Sequence, residues 1–143
     1  MDAKTLGARI EQRALLRDEP VPVEATVVVR GGSDTRAKLQ RHVERTARAW
    51  SLDGRPLLGI WVFAVLDMPL EELLRLRFAN FRYVYLPSVS GLAKSGFQLL
   101  PTGRRPHFTV RLHRATDDEV DRLLTALGDV QPNPEYAVNR DLT

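Results

Sequence analysis

"LLGIWVFAVL", residues 57–66, is the longest apolar run in the chain, and Pro56 on one side and Asp67 and Pro69 on the other bound it. Ten residues is short for a buried helix and suits a strand covered on both faces, so the run predicts a strand near the middle of a sheet. Upstream, "VEATVVVR" from Val23 is rich in β-branched residues and ends at Gly31-Gly32, which predicts a second buried strand closed by a turn. Ser33 or Asp34 then caps a helix running to Trp50, with Leu39, Val43, Ala47 and Trp50 on one face.

Downstream, "MPLEELLRLR" places a proline and acids early and arginines late, as a helix matched to its own dipole requires. "FRYVYLP" alternates and stops at a proline, so a strand is expected. Ser88 caps a helix of one to two turns over "VSGLAKSG", ended by Gly96. "HFTVRL" from His107 reads as a strand, and T-x-x-E at Thr116–Glu119 is a capping box for a helix that Gly128 ends. Residues 2–17 space Leu6, Ile10, Leu15 and Leu16 for a short N-terminal helix, mobile within residues 1–20, before "DEPVP" breaks the pattern. A short edge strand or turn and then a C-terminal tail over 132–143 complete one domain spanning 1–143. Alternating strands and helices favour α+β, or α/β, with a mixed sheet of four to five strands covered by helices.

With 43% hydrophobic and 27% charged residues the chain suits a folded domain, and no apolar run reaches the roughly 18 residues of a membrane-spanning helix. The N-terminus lacks an apolar stretch of signal-peptide length, so a cytoplasmic location is expected. The absence of cysteine removes disulfides, thiolate nucleophiles and cysteine zinc sites. His107 and His113 are six apart and no H-E-x-x-H occurs, so neither metal nor cofactor is expected. His42 sits among charges in "QRHVERTAR" and reads as exposed. The net charge of +3 is modest, but only Lys4, Lys38 and Lys94 of the 21 basic residues are lysine. Arginine's planar fork suits phosphate.

The chemistry concentrates in "PTGRRPHFTVRL", residues 101–112. On a strand, His107 and Thr109 face one way, Phe108 and Val110 the other. A histidine that moves protons near neutral pH beside a donor hydroxyl suits phosphoryl chemistry, and Arg104 and Arg105 just upstream suit phosphate binding. "RPHFTVRL" resembles an H-x-T motif of the 2H phosphoesterases, and the approach "GLAKSGFQLLPTGR" loosely resembles the stretch before that family's second motif. The family carries two such motifs facing one cleft. The partner in this chain is "VEATVVV", with Thr26 in the threonine position and Glu24, 83 residues before His107, where the family has histidine.

The resemblance implies His107 as general acid/base, Thr109 as a phosphate donor, and Glu24 and Thr26 as the opposing half-site, with Arg104, Arg105 and Arg30 binding phosphate. It requires Glu24 and His107 to share a cleft. Arg30-Gly31-Gly32 in "VVVRGGSD" offers a separate anion site, since glycines admit close approach and a helix N-terminus follows. Arg-Gly on a strand also loosely resembles the nicotinamide-side strand of ADP-ribosyltransferases, though no S-T-S or E-x-E accompanies it. The whole chain is similar to small proteins of high-GC bacteria with R-G-G early and L-x-P-T-x-R-x-P-H-[FY] late, which implies a stand-alone bacterial domain. The expected function is a small phosphoesterase or nuclease-like enzyme acting on RNA or a nucleotide. The alternative is a non-catalytic protein-binding partner, as in a toxin–antitoxin pair or a nucleoprotein assembly, marked by an exposed apolar patch or free edge strand.

Overall fold

The computed structural model describes residues 12–13 and 16–137. The apolar run forms β5 (Gly59–Ala64), third in a six-stranded sheet. The sheet order is β7 (Gln98–Pro101), β8 (His107–Arg111), β5, β2 (Val28–Gly31), β6 (Tyr83–Tyr85) and β9 (Gln131–Pro132). Every neighbouring pair is antiparallel, so the expected mixed sheet of four to five strands is corrected. The helices that follow β5, β6 and β8 join mutually parallel strands, with other strands interleaved between them, whereas the helix after β2 leads to its antiparallel neighbour β5. Thus α2 (Leu70–Arg77) leads from β5 to β6, and β2 lies between those two.

Alternation sorts the side chains into two faces. One face, with Val28, Ile60, Val62, Phe108 and Val110, packs under α1 (Arg36–Ala49), α3 (Val89–Lys94) and α4 (Asp117–Ala126). The other carries Val29, Phe63 and Val84 against Leu73 and Leu74 of α2. At its far end Leu57 and Leu100 meet Trp50 and Leu52 of a hairpin, β3 (Trp50–Leu52) and β4 (Arg55–Pro56). Asp53 and Gly54 turn that hairpin with φ of 53° and 77°, the mirror-image turn that matches strand twist. Helix and hairpin cover only the two ends of this face, and between them Trp61 is 41% exposed.

The caps are specific. Thr35, rather than Ser33 or Asp34, caps α1 by accepting from the Lys38 N–H, because Asp34 is engaged by Arg30. Ser88 caps α3 and Thr116 caps α4 as expected. Glu119, however, accepts from the Arg114 N–H instead of closing the capping box. The expected strand from Val23 starts only at Val28, because residues 24–25 form a turn. The helix expected through Trp50 ends at Ala49; Trp50 is its C-cap, donating its backbone N–H to the Thr46 carbonyl, and also opens β3.

The N-terminal helix is also corrected where described. Gln12–Arg13 form β1, parallel to Trp50–Ser51. Leu16 bridges Thr102, and the Arg17 N–H donates to the Pro101 carbonyl, which fastens residues 16–17 across the end of β7. Residues 1–11 and 14–15 of that expectation, and 138–143 of the tail, lie outside the described residues. The start of the expected tail is pinned. Pro132 pairs with Tyr83, and the fully buried Asn133 donates to the Phe78 and Phe81 carbonyls at 2.8 and 2.9 Å. Among the described residues no helix is long and apolar enough to cross a membrane.

Asn133 therefore ties the C-terminal strand to the end of α2. Replacing it by Ala removes a side chain satisfying two carbonyls and the Glu135 N–H, and stability should fall by about 2–3 kcal/mol. Urea unfolding measures this, and a loss under about 0.5 kcal/mol would contradict the tie.

Candidate functional site

The uncovered stretch around Trp61 borders a cavity of about 220 Å³. It forms where β2 parts from β5. The two strands pair at Val28–Ala64 and Val29–Phe63, and then Arg30 and Gly31 pair with β6 instead. Val29, Trp61, Phe63, Phe78 and Phe81 make the apolar lining. Phe63 and Phe78 meet edge to face at 5.6 Å, and Phe81 tilts on Phe78 at 5.8 Å. Gly31 admits that arrangement, because a Cβ there would lie 2.6 Å from the Phe81 ring. The space the glycine opens is thus occupied by a side chain of the protein itself.

The Arg30 guanidinium, only 6% exposed, spans the parted strands. Nε donates to Asp34 at 2.9 Å, Nη1 to the Trp61 carbonyl at 3.3 Å, and Nη2 to Nδ1 of His42. A guanidinium only donates, so His42 Nδ1 is the unprotonated nitrogen and its proton sits on Nε2. Burial holds the His42 pKa below the ordinary 6.5, and Arg30, Arg45 and Arg41 add repulsion against the weaker pull of Asp34. A neutral His42, half-buried in the cavity wall, corrects the expectation of an exposed one. It lies three residues after Leu39 and four before Thr46, both buried, so helical spacing turns it inward and could have revealed it.

Arg45 and Arg77 also line the cavity, from α1 and α2. Both are exposed, and neither has an acidic partner within 4 Å among the described residues. Arg77 lies over the Phe63 ring, 5.5 Å from its centroid. Two uncompensated cations over an aromatic floor attract an anion that carries a flat ring.

His107 and Thr109 lie side by side as alternation requires, on the Trp61 face. Nδ1 of His107 lies 3.1 Å from the Thr102 carbonyl and 3.0 Å from the Thr102 hydroxyl. The carbonyl only accepts while the hydroxyl can do either, so a proton on Nδ1 satisfies both contacts and leaves Nε2 as the basic nitrogen. Burial is the main cause lowering its pKa, opposed by the Thr102 carbonyl, with Arg17 adding to the fall. The ring packs edge-on against Trp61 and Phe63 at 5.2 and 5.5 Å, two residues that line the cavity. Thr109 is fully buried and its hydroxyl is 2.8 Å from that of Thr102. Arg17, which the sequence did not single out, donates to the Thr102 and His107 carbonyls and lies over Phe108.

The opposing half-site is placed elsewhere. Glu24 is exposed in the turn before β2, and its carbonyl accepts from the Ser90 N–H of α3. The Thr26 carbonyl accepts from the Val89 N–H. No hydrogen bond or ion pair among the described residues joins Glu24 to His107. Arg105 bridges Asp67 and Glu19, whereas Arg104 is exposed. The N–H groups of Gly32 and Asp34 donate to the Tyr83 carbonyl and the Tyr85 hydroxyl, so the glycine turn directs both inward. Among the described residues no three His, Asp or Glu side chains cluster to hold a metal ion. The chain matches no protein-family model, no curated protein and no solved structure.

Two outcomes test this electrostatic arrangement. His42 has a folded-state pKa below its unfolded one, so its contribution to stability is complete above pH 6.5 and is lost as pH falls through the lower folded value. Urea midpoints from pH 8 to 5 should drop more steeply in the wild type than in His42→Gln; parallel profiles would contradict a buried neutral His42. Arg30→Met leaves the Asp34 carboxylate, 3% exposed, without its cation, and should cost about 3–5 kcal/mol in the same assay at pH 7.

Proposed function

We propose that this protein binds a nucleotide, with the base against Trp61 and the Phe63–Phe78–Phe81 cluster and the phosphate between Arg45 and Arg77. The observation that carries this reading is the pair of acid-free arginines on the rim of an aromatic cavity. A volume of about 220 Å³ lies below the roughly 300–1,000 Å³ of pockets that enclose a drug-sized ligand, so it suits one ring system with its charged part outside. Stacking of a base on an aromatic side chain contributes about 1–3 kcal/mol, and a charged hydrogen bond to phosphate about as much. His42 Nε2–H is available to an acceptor on the base.

A second reading, hydrolysis of a phosphodiester, is favoured by the tautomer of His107. Its basic Nε2, held neutral at physiological pH by burial, suits taking a proton from the water that attacks phosphorus, and the imidazolium so formed can return it to the ribose oxygen that leaves as the P–O bond breaks. Its neighbours Trp61 and Phe63 connect it to the nucleotide cavity. The resemblance of "RPHFTVRL" to an H-x-T motif points to the same residue.

Calorimetric titration with adenosine monophosphate tests the first reading. The wild type should bind, Arg45→Ala and Arg77→Ala should each weaken binding about 10-fold or more, and Arg104→Ala should leave it unchanged. Unchanged binding in both rim variants would refute the reading. For the second, wild type and His107→Ala are incubated with 2′,3′-cyclic nucleotides. Turnover lost in the variant supports hydrolysis, and its absence in both folded proteins refutes it.

A further inference from the structure

We infer that the occupant is the end of a single-stranded nucleic acid and that it continues from the cavity along β5 to a second basic basin. This rests on the nucleotide reading and extends it. The basin, about 560 Å³, lies at the opposite end of β5, where Leu57 and Leu58 meet the β3–β4 hairpin and the end of β8. Arg55, Arg111 and His113 line it, with Asp53 as the carboxylate among them. Neither Arg55 nor Arg111 forms an ion pair among the described residues.

The register places both ends of the path on one face. Arg111 is paired with Gly59, and directly opposed residues of an antiparallel pair project together. Arg111 therefore leaves the sheet on the side of Trp61 and Phe63, which follow Gly59 at two-residue steps. From Gly59 to Phe63 the strand advances roughly 13 Å at its usual rise. The route between passes Trp61, 41% exposed, which Trp50 of the hairpin meets edge-on at 6.3 Å. The Thr109 methyl and the Val110 carbonyl close over Gly59, where a Cβ would strike both, so Trp61 is the exposed step of the route. Cations at both ends of an aromatic step are the pattern that follows a sugar–phosphate backbone, and at the roughly 3.4 Å per nucleotide of a stacked strand the length suits about four nucleotides.

The experiment is fluorescence anisotropy of 5′-labelled r(A)4 and d(A)4, with unlabelled adenosine monophosphate and tripolyphosphate as competitors. The oligonucleotide should bind at least 10-fold tighter than the mononucleotide, and whichever sugar binds tighter identifies the natural strand. Arg45, Arg77, Arg55 and Arg111 together give a log–log salt slope of about −2.8, which should fall to about −1.4 in the Arg55→Ala/Arg111→Ala double variant. That variant should bind the tetramer about as weakly as the mononucleotide, with mononucleotide affinity unchanged, and Arg55→Lys/Arg111→Lys should restore most of the difference. Equal affinity for tetramer and mononucleotide, an unchanged slope in the double variant, or tripolyphosphate competing as well as the oligonucleotide would overturn the path. Loss of mononucleotide binding in the wild type would instead overturn the nucleotide reading beneath it.

Discussion

The buried guanidinium of Arg30 is the constraint from which the site follows. A charge at 6% exposure needs partners in every direction it presents a proton, and Asp34, His42 and the Trp61 carbonyl supply them from a turn, a helix and the neighbouring strand. Meeting that demand where β2 parts from β5 replaces ladder hydrogen bonds with side-chain ones. The cavity is the space left by this substitution.

The aromatic side depends on a different set of contacts. Phe81 covers the α-carbon of Gly31, and Asn133 holds the Phe78 and Phe81 carbonyls from the edge strand. A residue beyond the last helix thus positions the ring that closes the cavity. Opposite it, the hairpin carrying Trp50 stops short of α2, and that gap on one face of the sheet leaves Trp61 partly in solvent. An exposed tryptophan between two basic rims suits recognition better than core packing.

Much of the fold was legible in the sequence because local rules acted alone there. The unbroken apolar run marked the central strand, Ser88 and Thr116 announced their helices, and period-two alternation set His107 beside Thr109. What the sequence hid was long-range. Three of the helix-linked strand pairs are parallel, as alternation implies, but the interleaving that makes every neighbour in the sheet antiparallel is a property of the assembled sheet. Glu24 fell outside its expected strand because residues 24–25 turn to meet α3. The cavity joins residues 29–31, 42–46, 61–63 and 77–81, four segments with no common motif. The local signs of it were the Arg30-Gly31-Gly32 turn and the inward spacing of His42.

The single measurement closest to the central claim is a ¹H–¹⁵N spectrum of the two tryptophan indoles during titration with adenosine monophosphate. The nucleotide reading expects the Trp61 indole to shift saturably while Trp50, at the hairpin, moves far less. A Trp61 resonance that stays fixed at nucleotide concentrations well above millimolar would contradict it.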